Sequence, residues 1–353
     1  MSKRLTNLAL LIIMFISACS AQAATTPQKL RVYMDWFPNI EFAGIYAAQE
    51  KGWYREAGID LELVFDGLDI IPNVLKGKVD IGMDSGHDLI RHAGKDTTIK
   101  AFAAQYQLNP NCIVVRKDLP VNSLADLKGR TLGVFAPQDL DMYRVMLGYN
   151  GLSLNDVKFK EIHTFKESEL IDLLKKHEVD GFIAWEFNWT VTFSLLAYPV
   201  RVFPGYENGF QFYGSVFFAK DEFLRSHRKL LGDFLGVTFR GWREVYQKPE
   251  HYARFVVEKK FPANRYINGS KALTLRQQLA ELKLRKRYFI EGVGEENMGR
   301  MSRASWEKSL EIARSSGLIP ASSKLTVDDI YDAAIWSQPQ TIAAKANAKV
   351  GVQ

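Results

Sequence analysis

The order strand, helix, strand at the start of the chain constrains the fold more than any other feature. LRVYMDW (Leu30 to Trp36) has the β-branched and aromatic composition of a strand. Glu41 to Glu50 predicts a helix that ends at Lys51-Gly52, and IDLELVF (Ile59 to Phe65) predicts the next strand. Such a unit builds a parallel sheet, so we expect an α/β protein.

The alternation continues to residue 220 and then gives way to helices. Further strands are predicted at 79–83, 98–105, 112–116 and 215–220, and a second cycle of strands and helices runs from 123–135 through 157–163 to 179–185. Terminal helices without strands usually cover an existing sheet. Because 353 residues with 47% hydrophobic content exceed one comfortable core, two lobes are expected.

The predicted division of the chain follows from this order. We expect a signal peptide at 1–23, lobe 1 at 29–116 and 217–337, lobe 2 at 117–216, and a flexible tail at 338–353. Two adjacent chain crossings, near 113–118 and 214–219, would form a hinge.

Two stretches of the sequence echo each other. VLKGKVDIGMD (Val74 to Asp84) and LLKKHEVDGFIAWE (Leu173 to Glu186) both run helix, lysine-rich turn, Val-Asp, strand and carboxylate. This suggests that the two lobes share one α/β plan.

The first residues predict export. Lys3 and Arg4 precede an apolar run and the small-residue end Ala21-Gln22-Ala23, which is the arrangement of a secretory signal. Ile16-Ser17-Ala18-Cys19 also fits a lipoprotein box in which Cys19 is acylated, so two processing routes stay open. Either route gives a periplasmic or extracytoplasmic protein, soluble or lipid-anchored.

Several functions are disfavoured by the sequence. Cys112 stands alone once Cys19 is removed or lipidated, so an intramolecular disulfide and a cysteine metal site are excluded. LKLRKRYF (Leu282 to Phe289) is interpreted as a solvated helix face rather than a nucleic-acid surface. His87 and His92 lie five residues apart, which is not the usual metal spacing, and no GxSxG motif is present. We therefore expect a monomeric non-enzyme without catalytic residues, metal, cofactor or nucleic-acid partner.

Loops after the predicted strands carry the candidate site. In open α/β sheets, ligands bind beyond the carboxyl ends of strands, and DWFPNIEF (Asp35 to Phe42) occupies such a position. The loops DSGHD, QYQLN, FAPQD and AWEFNW likewise mix aromatic and polar groups, as an enclosed small-molecule site does. Packing in the core is the alternative for each aromatic residue. The candidate ligand-binding residues are Trp36, Asn39, Glu41, Phe42, Asp84, Ser85, His87, Gln107, Phe135, Gln138, Trp185, Glu186 and Tyr213.

One stretch resembles a known family. DWFPNIEFAGIYAAQEKGWYREAGIDLELV (Asp35 to Val64) is similar to the opening of NMT1/THI5-like (SsuA/THI5-like) binding proteins of ABC transporters, which have the type II periplasmic binding fold. GKVDIGM, SLADLKGRTLGV and Trp185-Glu186 add support. The resemblance implies two lobes, each a mixed, mostly parallel sheet flanked by helices, that close over a flat heteroaromatic ligand of the thiamine-pyrimidine-precursor kind for an ABC permease. It implies that Trp36 stacks on the ligand and that Glu186 accepts hydrogen bonds from a ligand amino group.

Departures from the family keep alternatives open. Members specific for thiamine pyrimidines often have histidine where this chain has Phe42. The segments 209–224 and 294–319 look closer to extracytoplasmic sensor domains, so a ligand-presenting partner of a membrane receptor is the alternative. The family also includes a pyrimidine synthase that uses pyridoxal phosphate on a lysine. Asp84 stands roughly at that position and no cysteine cluster is present, so an enzyme is disfavoured.

Overall fold

Two five-stranded sheets organise the part of the chain that the computed structural model describes, residues 26–65 and 69–337. The predicted signal peptide, Cys19 and the tail at 338–353 lie outside the described residues. The strands are β1 (Gln28–Tyr33), β2 (Ile59–Val64), β3 (Ile81–Ser85), β4 (Ile99–Ala104), β5 (Asn111–Arg116), β6 (Thr131–Val134), β7 (Lys158–Glu161), β8 (Gly181–Trp185), β9 (Val200–Pro204) and β10 (Ser215–Lys220).

Helices flank both sheets. They are α1 (Ala43–Glu50), α2 (Trp53–Glu56), α3 (Ile70–Leu75), α4 (Gly86–Ala93), α5 (Asp139–Tyr149), α6 (Glu167–Lys175), α7 (Glu186–Leu195), α8 (Asp221–Ser226), α9 (Arg228–Gln247), α10 (Pro249–Lys259), α11 (Lys271–Ile290), α12 (Arg303–Ser315) and α13 (Val327–Ile330). Within the described ranges, none combines the length and the apolar character that a bilayer span requires.

Both sheets follow one plan. The first has the order β2-β1-β3-β10-β4 and the second β7-β6-β8-β5-β9. In each, the central strand is parallel to its neighbours on one side and antiparallel to the fourth strand, β10 or β5. That fourth strand is the first one after the chain crosses between sheets. We call the first sheet with its helices lobe 1 and the second lobe 2; the predicted two-lobed α/β fold is confirmed.

The prediction for residues 112–116 was wrong. β5 pairs with β8 and β9, with Ile113 opposite Ile183 and Phe203, and therefore belongs to lobe 2. The first crossing is the segment 105–110, before β5, and the second is 205–214. Since every residue of β5 is buried, its apolar run fits the centre of either sheet, and the sequence does not distinguish them.

The sequence echo corresponds to equivalent positions in the two lobes. Asp80 precedes β3, and its carboxylate accepts a hydrogen bond from the backbone N–H of Arg31 at 2.8 Å. Asp180 precedes β8 and accepts in the same way from Thr131 at 2.9 Å. Each aspartate therefore ties the start of the central strand to the strand beside it.

The helices after β10 cover lobe 1, as predicted. α9 packs closely on α1, where Gly241 approaches Gly44: a Cβ at Gly241 would lie 2.0 Å from the Gly44 carbonyl oxygen. α11 packs on α10 and also on α7 of lobe 2. The carboxyl-terminal part of the chain thus contributes to the contact between the lobes.

Candidate ligand-binding cleft

Loops from both lobes meet where their strands end. β1 and β3 deliver the segments 34–39 and 84–88, while β6 and β8 deliver 135–139 and 185–189. Contacts between the lobes occur here, since the rings of Trp36 and Phe165 lie 6.0 Å apart and Arg91 Nε lies 3.5 Å from Asp141 Oδ2. We call this junction the cleft.

The first loop is held rigid by its own polar groups. Asn39 Oδ1 accepts a hydrogen bond from the N–H of Glu41 at 2.6 Å, and Asn39 Nδ2 donates to the carbonyl of Phe37 at 3.0 Å. These bonds cap a short 3₁₀ turn, and the N–H at its start, that of Ile40, donates to Gln278 Oε1 of α11 at 2.7 Å. Asn39 is buried with both ends of its amide used, so it positions the loop.

Aromatic rings of both lobes face the cleft. Phe165, on the loop after β7, stacks on Phe135 with centroids 5.2 Å apart and planes 13° apart, and meets Trp36 nearly edge-on. Trp189 on α7 lies 6.0 Å from Phe135. Trp36, Phe135, Phe165 and Trp189 are partly exposed, so this aromatic cluster presents ring faces that a flat ligand could contact.

Asp35 is a half-buried residue that precedes Trp36 of this cluster in the chain. Its Oδ2 accepts a hydrogen bond from Ser215 Oγ at 2.5 Å. Its Oδ1 is buried and has no hydrogen-bond partner among the described residues. Burial raises the pKa of Asp35. An unpartnered buried acceptor is costly, which makes this atom a candidate to receive a ligand donor.

The cleft contains more carboxyl groups than basic side chains. Burial and the neighbouring Asp88 raise the pKa of Asp84 well above its ordinary value. Arg91 binds Asp88 at 2.6 Å and approaches Asp141 of lobe 2. Asp139 Oδ2 accepts from the backbone N–H groups of Phe135 and Ala136 at the start of α5, and burial raises its pKa.

In the described parts of the chain, no three His, Cys, Asp or Glu side chains are placed to bind a metal ion.

Ser85 and His87 connect the end of β3 to both crossings. Ser85 Oγ lies 2.6 Å from His87 Nδ1 and accepts from Asn109 Nδ2 at 3.1 Å. Asn109 Nδ2 also donates to the Tyr213 carbonyl at 3.0 Å, and the His87 ring packs against Phe210. These bonds fix the crossing segments 105–110 and 205–214 to lobe 1.

A buried ionic network lies behind the first loop. Arg285 of α11 binds Glu281 at 2.9 Å and lies 3.6 Å from Glu41, whose Oε1 also accepts from Tyr106 Oη at 3.2 Å. Burial raises the pKa of Glu41 to about 8 and that of Glu281 to about 7. The guanidinium lies 4.0 Å from the ring of Phe187 in lobe 2, so the network also contacts the opposite lobe.

α7 and α11 make the second set of contacts between the lobes. Tyr288 Oη donates a hydrogen bond to Glu186, and Gln277 Nε2 donates to Thr192 Oγ1 at 3.2 Å. Burial raises the pKa of Glu186. Trp185 packs against Tyr106 and Phe187. Glu186 therefore contacts lobe 1 directly in this structure.

The structure brings together only some of the predicted site residues. Phe42 is fully buried in lobe 1 against Tyr46 and Phe65. Tyr213 Oη accepts from the N–H of Ser302 at 2.8 Å, and Gln107 Nε2 donates to the carbonyl of Arg300 at 3.0 Å. These three have packing and tethering contacts within the lobe 1 scaffold. Trp36, Asp84, Phe135 and the exposed Gln138 lie on the segments that meet at the cleft.

Sequence reasoning missed three residues. Asp35 lies in the predicted loop but was not selected, because its burial depends on Ser215, 180 positions later. Phe165 lies in a polar stretch without a motif.

Arg285 lies in the run 282–289 that was interpreted as solvated. Lys283 and Arg287 are exposed, but Leu282, Arg285, Tyr288 and Phe289 are buried. Gln277, Glu281 and Arg285, spaced by four, were the available signal of a polar buried stripe.

Comparisons with known proteins agree with this architecture. Residues 39–252 match the family model described as NMT1/THI5 like. The chain is 24% identical over 345 residues to the riboflavin-binding protein RibY of Chloroflexus aurantiacus, covering 91% of this chain and 95% of that protein. It is 29% identical over 129 residues to the formylaminopyrimidine-binding protein of Halalkalibacterium halodurans, covering 35% and 39%.

A solved structure shows the same fold. The alkanesulfonate-binding protein SsuA from Xanthomonas axonopodis pv. citri, bound to MOPS, is similar with a TM-score of 0.62 at 13% identity, over 87% of this chain and 99% of that one.

Proposed function

The chain belongs to the NMT1/THI5-like family and is a solute-binding protein of the ABC import type, and from this premise we propose that its ligand is a small, flat heteroaromatic molecule. The two lobes enclose the ligand by hinge closure outside the cytoplasm and deliver it to a permease. A thiamine pyrimidine precursor is the ligand type that we test first.

The aromatic cluster is the observation that carries this proposal. Trp36 comes from lobe 1, whereas Phe135, Phe165 and Trp189 come from lobe 2. Closing the lobes brings ring faces to both sides of the gap, and a flat ligand gains contact with both at once. Offset and edge-on ring contacts contribute about 0.5–1.5 kcal/mol each beyond burial.

The charge of the cleft supports a ligand with hydrogen-bond donors. Asp35 offers an unpartnered buried oxygen, Asp88 and Asp141 lie within ion-pair distance of Arg91, and Asp84 and Asp139 add two further carboxyl groups. An amino group or ring N–H on the ligand would satisfy such acceptors. A sulfonate would add negative charge beside several carboxyl groups, which is unfavourable. We therefore expect this chain to differ in specificity from the sulfonate-binding protein that shares its fold.

Equilibrium binding tests the proposal. Wild-type protein is titrated calorimetrically with a 4-aminopyrimidine, riboflavin and MOPS, and thermal unfolding is followed in parallel. A heteroaromatic ligand at 100 times its Kd should add about 2.7 kcal/mol to the free energy of unfolding. Trp36→Leu should weaken binding about tenfold, and Asp35→Asn should weaken ligands that carry amino groups more than those that lack them.

Two matched variants control for indirect effects. Trp53→Leu removes a tryptophan of α2 in lobe 1 that contacts Arg240, and Asp60→Asn alters an exposed carboxylate of β2. Both should bind as the wild type does. Binding of MOPS without binding of either heteroaromatic ligand would refute the proposal, as would equal losses in Trp36→Leu and Trp53→Leu.

A further inference from the structure

We propose that Phe165 is a specificity-determining residue that limits the size of the ring system the cleft accepts. The inference rests on the proposed function, because it concerns the same cleft and the same class of flat heteroaromatic ligand. We expect the cleft to bind a single aromatic ring more tightly than a fused tricyclic ring system.

The position of Phe165 is unusual for an exposed side chain. It is 53% exposed, and among the described residues only Tyr149, at 67%, and Leu284, at 48%, are comparably exposed large hydrophobic residues. Single exposed apolar residues are common and need no function. Phe165 differs from Tyr149 because it touches both lobes, through Phe135 of lobe 2 and Trp36 of lobe 1.

The loop that carries Phe165 is tied to β6 at its start and has a local turn around Phe165. The N–H of Ile162 donates to the carbonyl of Val134 at 2.8 Å, which continues the pairing of β6 and β7. The N–H of Lys166 donates to Thr164 Oγ1 at 3.1 Å, just before α6 begins at Glu167. The ring of Phe165 is held in place by its contacts with Phe135 and Trp36.

The ring geometry determines what can enter. Phe165 stacks on one face of Phe135, and Phe182 and Trp189 also contact the Phe135 ring. Its plane makes an angle of 74° with Trp36, so a ligand stacked on Trp36 meets Phe165 at an angle and not as a continuing parallel surface. We therefore expect a single ring to stack on Trp36 without displacing Phe165. A tricyclic ring extends further and must push Phe165 off Phe135.

Displacing Phe165 has an energetic cost that a small ligand avoids. Losing one aromatic stack weakens binding of the larger ring by up to about tenfold. The small ring does not displace Phe165, and it gains an additional contact with the exposed Phe165 ring. Truncating the side chain should therefore weaken binding of the small ring without weakening binding of the larger one, which a merely structural role would not do.

The test compares the two ligands across four proteins. Wild type, Phe165→Ala, Phe165→Leu and Tyr149→Ala are each titrated with 4-aminopyrimidine and with riboflavin by calorimetry. Wild type should bind the single ring more tightly. Phe165→Ala should weaken the single ring about tenfold and leave riboflavin unchanged or tighter, and Phe165→Leu should fall between. Tyr149→Ala, an exposed aromatic truncation in the same lobe, should keep the wild-type ratio of the two Kd values.

The outcomes separate this inference from the function beneath it. If wild type binds neither heterocycle, the proposed function fails and the inference with it. If wild type binds but prefers riboflavin, or if Phe165→Ala weakens both ligands equally, the function stands and the inference is overturned. The unliganded Phe165→Ala protein should melt slightly below the wild type, because it loses the ring stack on Phe135, and the ratio of the two Kd values is therefore compared within each protein.

Discussion

Glu41 should make the protein less stable as the pH rises. Burial raises its pKa from an ordinary 4.5 to about 8, with Asp35 adding to the effect and Arg285 opposing it. Between these two values the folded state holds a proton that the unfolded chain has released. Because the folded state then binds more protons, the free energy of unfolding falls as pH rises through this window.

The size of the effect follows from the shift. One unit of pKa corresponds to about 1.36 kcal/mol, so the full shift corresponds to about 4–5 kcal/mol between pH 4.5 and pH 8. Glu281, with its pKa raised to about 7 by the same burial, acts in the same direction. Exposed carboxylates whose pKa is lowered by hydrogen bonds, such as Asp126 and Asp156, titrate below this window and do not mask the trend.

Glu41→Gln isolates the contribution. The amide keeps an oxygen for Tyr106 Oη but carries no charge at any pH. Urea unfolding at pH 5 and pH 8.5 should show similar stability for wild type and variant at the lower pH, and a more stable variant at the higher pH. Glu56→Gln, at an exposed position of α2, should follow the wild type. If Glu41→Gln lost stability with pH as steeply as the wild type does, Glu41 would not be the protonated group inferred here.

Further predictions concern the scaffold around the cleft. Phe42→Ala should lower the free energy of unfolding, measured in urea, by about 3–5 kcal/mol because the ring is fully buried. The folded variant should keep its ligand affinity. Lost affinity at unchanged stability would instead identify Phe42 as a ligand contact. Gly241→Ala should lower the free energy of unfolding by about 1–3 kcal/mol, since its Cβ would lie 2.0 Å from the Gly44 carbonyl oxygen. Gly148→Ala on α5, with open space around it, should leave that free energy unchanged or raise it. Differential scanning calorimetry measures both variants. Tyr288→Phe should destabilise by about 1–3 kcal/mol because Glu186 loses a donor, and equal stability would show that water replaces the hydroxyl.

The fold could be predicted from the sequence further than the site could. The alternation of strands and helices gives the parallel core of each lobe, because the two periodicities are local properties of the chain. The Val-Asp echo corresponds to Asp80 and Asp180, which perform one local task twice. The sheet membership of β5 was wrong because an apolar strand buried along its whole length carries no label for the sheet it joins.

The site depends on long-range pairings that no local pattern announces. Asp35 was overlooked and Phe42 was selected, although they share one loop, because the structure turns the carboxylate toward Ser215 and the ring into the core. Arg285 illustrates the same limit. On a helix rich in lysine and arginine its charge suggests exposure, yet the carboxyl groups of Glu281 and Glu41 lie 2.9 Å and 3.6 Å from the buried guanidinium.

The proposed ligand contact Asp35 is bonded to a segment next to one of the two crossings between the lobes, which bears on how the proposed closure would be transmitted. Asp35 bonds to Ser215, the first residue of the strand after the second crossing, while Ser85 bonds to Asn109 in the first crossing. A donor group that engages Asp35 therefore acts on a side chain already tied to the segment that links the lobes. Arg285 contacts both Glu41, behind the first loop, and Phe187 of lobe 2. A shift of the first loop would therefore also change this contact between the lobes. Binding and closure can be coupled here through direct neighbours, without a long chain of intermediates.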